Sequence, residues 1–298
     1  WDGYDAEAQT REVCRYLRQR GDGNAEKPFA MFLSWGPPHA PYHTAPERFR
    51  AQFDPAEIRL RPNVPEDRRD SARKELAGYY AHIAALDECF GTLLAELEAT
   101  GLDDNTIVVF SSDHGDMHGS QGHSRKQWPY DESACIPLLV RAPGLQPREV
   151  TTPTDVTDHM PTLLSLCGVD VPETIEGDDL SEVLRGNARD DERPALLACY
   201  MPFHQVRKPD MLEYRGLRTA RYTYARTLEG PWLLFDNQED PYQTTNLVND
   251  PAHAAVRDRL EAALQQRLAD LNDEFLPGEE YLARYHIRLN EKGDIFYE

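Results

Sequence analysis

The stretch from Ser71 to Thr100 constrains this chain more than any other. Its apolar residues Tyr79, Ile83, Leu86, Phe90, Leu93, Leu94 and Leu97 recur at steps of three and four, the spacing of one helix face. Gly101 closes the stripe as a C-cap glycine. The turn "LDDN" then leads into Thr106-Ile107-Val108-Val109-Phe110, a continuous apolar run that predicts a buried strand over 106–112. Upstream, residues 6–20 place Val13, Tyr16 and Leu17 among charges, which predicts an amphipathic helix. "GDGNAEKP" breaks it, and "FAMFLSW" at 29–35 reads as another buried strand. That run ends in "GPPHAPYH", where the prolines prevent further pairing and stiffen the loop. Strand, helix and strand joined by turns predict an α/β fold with parallel strands. Ligands of such sheets sit beyond the carboxyl ends of the strands, so 36–43 and 111–119 are expected to face one cleft.

Downstream, the Pro- and Arg-rich residues 45–70 read as a surface excursion. "CIPLLVRAPG" predicts a strand, and "TDVTDHMPTLLSLCG" a short helix ending at Gly168. Beyond about residue 190, "ALLACY", "YRGLRTARYTYAR" and "GPWLLFD" are short aromatic and β-branched runs between turns, a pattern for a small antiparallel sheet. Val256, Leu260, Ala263, Leu264, Leu268 and Leu271 stripe a last helix, and 273–298 is expected to wrap the surface. The expected division is 1–190 for the α/β core and 191–298 for an α+β subdomain and tail.

With 40% hydrophobic and 28% charged residues, the composition is that of a soluble folded protein, and no run approaches the roughly 18–20 apolar residues of a membrane span. The net charge of −20 argues against nucleic acid or an acidic membrane as partner. An anionic substrate then needs a local cation. Cys14, Cys89, Cys135, Cys167 and Cys199 are odd in number and far apart, and are expected to be reduced and mostly buried. The chain opens at Trp1 without a lead-in to a first strand, and an upstream part is expected.

Asp113 and His114 follow the 106–112 strand directly. A carboxylate beside an imidazole can reach one divalent ion, or Asp113 can cap a turn with His114 incidental. Lys126, past a glycine-containing loop, is a point charge suited to a sulfate or phosphate oxygen, against the ordinary reading of a solvated lysine. His39, with prolines on both sides, can serve a leaving group as acid or base, or be a loop histidine satisfied by backbone. His118 and His123 read as loop or substrate-rim residues. Asp155 and His159 have an i, i+4 spacing, but "TDVTDHMPTLL" reads better as a capped helix start. The basic stretch "RKPDMLEYRGLRTARYTYAR" reads as a salt-bridged sheet.

The segments "FLSWGPPHAPY", "YYAHIAALDECFGTLLAELEATGLDDNTIVVFSSDHGDMHG", Lys126, "PYDESACIPLLVRAPG", "DHMPTLLSLCGV" and "LRTARYTYARTLEGPWLLFDNQEDPYQTTNLVNDP", in that order, closely resemble the later part of the sulfatase family of the alkaline phosphatase superfamily. The resemblance implies a large α/β sandwich followed by a small four-stranded antiparallel sheet with a helix. It implies metal-ligand roles for Asp113 and His114, sulfate binding for Lys126 and leaving-group assistance for His39. It also implies a sulfuric ester hydrolase using a divalent metal, Ca2+ ahead of Mn2+ or Mg2+, and a formylglycine nucleophile. Ser120-Gln121 stands where many relatives have an acidic-His pair, which leaves the rim contacts open. None of the cysteines lies in the family's C/S-x-P-S-R motif, so the nucleophile is expected on a missing upstream segment and this chain alone is expected to be inactive. The alternatives are a phosphonate monoester or phosphodiester hydrolase of the same superfamily, and a non-catalytic module binding sulfated glycans. The expected partner is a small-molecule or glycan sulfate ester, and self-association through exposed strand edges is expected. Localisation stays open, with the cytoplasm placed ahead of the periplasm or export.

Overall fold

The computed structural model describes residues 2–21, 27–188, 193–202 and 212–290. They form two compact units, one of Trp1–Phe110, His118–His123 and Leu138–Gly144, the other of Ser111–Met117, Ser124–Pro137 and Leu145–Glu298.

In the first unit, helices α1 (Asp5–Gln19), α2 (Glu47–Arg50) and α3 (Arg69–Ala99) pack together, and strand β1 (Val108–Ser111) pairs with β2 (Leu138–Arg141). The expected helices over 6–20 and 71–100 and both strands are present. The apolar stripe of α3 is only in part its buried face: Leu86 and Leu97 are buried, and Phe90, Leu93 and Leu94 half-buried. Ile83 is 42% exposed, while Ala77, Ala81, His82, Ala85, Leu86 and Cys89 are buried. Small side chains let neighbouring elements approach closely: Ala81 and Ala85 meet Ala45 and Phe49, and Leu86 and Cys89 meet Ala6 of α1. The stretch 45–70 is only in part a surface excursion, since Phe49, Asn63 and Val64 are buried.

"FAMFLSW" departs from expectation. It is extended but in no ladder, and Phe32 is 96% exposed. A strand exists only where a neighbour takes its N–H and C=O groups, and among the described residues none does so here. β2 shares this openness, with Leu139 61% exposed.

The second unit is built on a four-stranded antiparallel sheet in the order β3-β4-β5-β6: β3 (Ala195–Cys199), β4 (Tyr214–Arg218), β5 (Tyr222–Thr227) and β6 (Gly230–Asp236). Alternation along the strands gives it two covered faces. Leu217, Tyr224 and Leu234 pack with Leu260, Leu264 and Leu268 of helix α7 (Ala254–Asp270). Cys199, Tyr214, Ala225, Leu233 and Phe235 pack with Tyr130. The basic stretch is a salt-bridged sheet where it is described, with Arg215–Asp273, Arg218–Asp131, Arg221–Asp236 and Arg226–Glu261 pairs; its residues 207–211 lie outside the described residues.

Helix α5 (His159–Leu166) follows a capping box in which the Asp155 carboxylate accepts from Thr157 N and Asp158 Oδ2 accepts from Asp155 N. That agrees with a helix start rather than a metal pair at Asp155 and His159. Short helices α4 (Asp131–Ala134), α6 (Ser181–Arg185) and α8 (Gly278–Arg284) complete the set; of the tail, 291–298 lies outside the described residues. Among the described residues no cysteine is in a disulfide, and Cys135 and Cys167 are exposed rather than buried. Among the described residues no helix is long and apolar enough to cross a membrane.

Candidate active site

Beyond β1 the chain turns on its own polar groups. Ser112 Oγ donates to His114 O at 2.9 Å, and Asp113 Oδ1 accepts from His114 N at 2.9 Å. His114 Nδ1 lies 2.9 Å from Gly115 O. A carbonyl only accepts, so Nδ1 is the donor in this contact. Nε2 stands 3.3 Å from Asp113 Oδ2. At that distance the carboxylate can pair with a protonated ring, or the two atoms can share one cation. Ligands at about 2.4 Å, set at right angles around one ion, are about 3.4 Å apart, so the pair fits adjacent corners of a coordination shell. Asp113 is an exposed side chain and can reach an ion. The two atoms are a fraction of the six to eight ligands that calcium takes, and among the described residues no cluster of three or more His, Cys, Asp or Glu completes the set.

Gly115 explains why this turn needs glycine. Its N–H donates to Ser133 O at 2.8 Å, and a Cβ there would fall 2.0 Å from Glu132 O. Further on, Met117 N donates to Arg125 O at 2.9 Å, and Arg125 N to Asp116 Oδ1 at 3.0 Å. Lys126, half-buried, lies between Arg125 (φ 69) and Gln127 (φ 72). Non-glycine residues in this region cost about 1–3 kcal/mol each and persist only where surrounding contacts fix them. The fixing contacts continue with Trp128 N, which donates to Ser133 Oγ at 3.3 Å. Beneath, Met117 and Trp128 are buried with Tyr130 and Trp232.

His39 belongs to the first unit. It lies between two cis peptides, Pro37–Pro38 and Ala40–Pro41, with Nδ1 2.8 Å from Ala40 O. The segment is gripped from α3, where His82 Nε2 is 3.5 Å from Pro41 O and His82 Nδ1 is 2.7 Å from the Tyr4 hydroxyl. Burial lowers the His82 pKa, against opposing contributions from the Pro41 carbonyl and Asp5, and a neutral ring suits both contacts. Sequence reading left His118 as a loop or substrate-rim residue, and it lies in a turn but not exposed on a rim. It is buried instead, 4.5 Å from the Tyr79 ring and 5.1 Å from the Tyr42 ring. Nothing local marks that burial, because Tyr42 and Tyr79 reach it from distant sequence. His123 is half-buried, and its carbonyl accepts from Gly119 N at 2.8 Å.

The second unit thus holds Asp113 and His114 on Ser111–Met117 and Lys126 on Ser124–Pro137, and brings Asp113 and His114 into direct apposition. Sequence reading missed Ser133, whose carbonyl and hydroxyl hold the turns after His114 and after Lys126.

Residues 2–169 match the family model described as Sulfatase, and residues 119–270 match that for N-sulphoglucosamine sulphohydrolase, C-terminal. The chain is 39% identical over 291 residues to an ulvan-active sulfatase of Formosa agariphila, covering 96% of this chain and 56% of the relative. It is 32% identical over 288 residues to an endo-4-O-sulfatase of Bacteroides thetaiotaomicron, covering 89% and 56%. Among solved structures, the yidJ protein of Bacteroides fragilis superposes with a TM-score of 0.79 at 31% identity, covering 91% of this chain and 59% of that one. The chain spans about half the length of the curated relatives it matches. Because the matches run through both the Asp113–Lys126 segment and the antiparallel sheet, the chain belongs to the sulfatase family, with its alkaline-phosphatase-like α/β fold.

Proposed function

We propose that residues 111–126 form one wall of a sulfuric ester hydrolase site, with a divalent ion, calcium by preference, held in part by Asp113 and His114. The observation that carries this is Asp113 Oδ2 set 3.3 Å from His114 Nε2 on an exposed turn after β1. When bound, the ion supplies Lewis-acid polarisation of a sulfate oxygen. Lys126 is assigned to the sulfate itself. Its ammonium offsets negative charge on the transferring group, a need sharpened by a net charge of −20. For His39 we keep the role that the family resemblance implies, assistance to the departing alcohol oxygen as acid or base.

The nucleophile we assign to a formylglycine in a C/S-x-P-S-R segment, a motif these 298 residues do not contain; the chain by itself is accordingly expected not to turn over. The substrate class we favour is a sulfate ester on a glycan, supported by similarity to an ulvan-active sulfatase and an endo-4-O-sulfatase. The test is release of inorganic sulfate from ulvan, chondroitin sulfate and 4-nitrophenyl sulfate by a protein that joins this chain to such a segment. Release from at least one ester, abolished by chelation and restored by calcium, is expected. Cleavage of phosphonate monoesters in preference to all three would overturn the sulfate assignment.

A further inference from the structure

Helix α4 links the sheet of the second unit to the candidate site. At its start, Asp131 is held from strand β4 and from the loop that carries Gln243. Arg218 of β4 donates Nε to Asp131 Oδ1 at 3.0 Å and Nη2 to Oδ2 at 3.1 Å. Gln243 Oε1 accepts from Asp131 N at 2.9 Å, and Gln243 Nε2 lies 3.3 Å from Asp131 Oδ1, 3.1 Å from Thr223 Oγ1 of β5 and 2.9 Å from Asn237 Oδ1. Gln243 is 1% exposed and has a φ of 54, so its backbone is held in a disfavoured region and its amide is spent on this junction. Two residues past Asp131, Ser133 O accepts from Gly115 N at 2.8 Å and Ser133 Oγ from Trp128 N at 3.3 Å. Gly115 follows the proposed ligand His114, and Trp128 is two residues beyond Lys126. The path from Gln243 to both functional turns therefore runs by hydrogen bond to Asp131, along the backbone to Ser133, and by hydrogen bonds on to Gly115 N and Trp128 N.

We propose that Gln243 and Arg218 are positioning residues: by fixing Asp131 they set where Ser133 pins the turns after His114 and after Lys126, without touching substrate. This rests on the sulfatase reading above. A bound group misplaced by about 1 Å can lose on the order of a hundredfold in rate, so a device of this kind acts on turnover more than on capture.

Amide hydrogen exchange in the 298-residue chain tests the mechanical half. Gln243→Ala is expected to speed exchange at Gly115 and Trp128 at least about tenfold while Leu217 and Tyr224, within the sheet, stay within about twofold. Asp131→Asn, which keeps the shape and removes the charge that Arg218 grips, is expected to give the same pattern with a smaller rise, and serves if Gln243→Ala does not fold. Equal acceleration at all four amides, or none at Gly115 and Trp128, overturns the proposal. In the protein completed with a C/S-x-P-S-R segment, Gln243→Ala is expected to lower kcat for 4-nitrophenyl sulfate at least tenfold with KM within twofold. A rise in KM alone also overturns it. A wild type that cleaves no sulfate ester refutes the proposed function, and the exchange pattern still decides whether the sheet positions these turns.

Discussion

The antiparallel sheet of the second unit and the apolar runs of the first are alike in sequence and opposite in surroundings. Leu217, Tyr224 and Leu234 are fully buried, under α7, whereas Phe32 is 96% and Leu139 61% exposed. Apolar patterning fixes which face of a strand needs covering; burial also requires that something nearby supply the cover. The sheet has cover on both faces, from α7 and from Tyr130. Residues 29–35 are covered at their ends, where Phe29 meets Tyr16 and Trp35 packs against Ala6, Leu86 and Cys89, but Phe32 lies open between them, as Leu139 does in β2. An exposed apolar surface of that kind is an interaction surface or an aggregation hazard.

The contrast can be broken at its strongest point first. Arg215 is fully buried against Asp273, with Nε 2.5 Å and Nη2 3.2 Å from the carboxylate, and also lies 3.8 Å over the Tyr200 ring. Removing one partner of a buried ion pair strands the other, so Arg215→Leu is expected to cost roughly 3–5 kcal/mol, read by denaturant unfolding. Leu264→Ala, in the α7 interface, is expected to cost about 2–5 kcal/mol. Phe32→Ser and Leu139→Ser should each stay within about 0.5 kcal/mol, while reducing self-association of the 298-residue chain by light scattering. If either exposed substitution proved as costly as Leu264→Ala, that side chain would be covered in solution.

Acid should find the second unit as well. Burial would raise the Asp273 carboxyl, but Arg215, Phe275 N–H and Tyr281 outweigh it and hold the pKa below the usual value; Asp236 is held low chiefly by Arg221. A depressed folded pKa contributes stability that is complete above the unfolded carboxylate value of about 3.9 and is lost as pH falls through the folded value. Unfolding on acidification is therefore expected below about pH 4, and Asp236→Asn should flatten that part of the profile.

The elements that were legible in sequence owe their form to local signals. The helix over 71–100, its end at Gly101, the strand at 108–111 and the final Leu260–Leu268 stripe all repeat at element periods. Misreadings came where non-local neighbours decide. The buried face of α3 takes in Ala77, Ala81 and Ala85 beside Leu86 of the stripe because α1 and α2 come close, and "FAMFLSW" has no ladder because no described strand meets it. The site divides in the same way. Asp113 and His114 are adjacent in sequence and their apposition needed only one turn. Asp131, Ser133 and Gln243 were present in quoted motifs, yet their role depends on hydrogen bonds spanning 112 residues from Asp131 to Gln243.

The most direct measurement is sulfate release by the completed protein with Lys126→Ala beside wild type. Removing one preorganised charge from the transferring group is expected to lower kcat by about 10²–10³, with the fold retained by circular dichroism. Wild-type turnover by Lys126→Ala would contradict the assignment of residues 111–126 as a wall of the site.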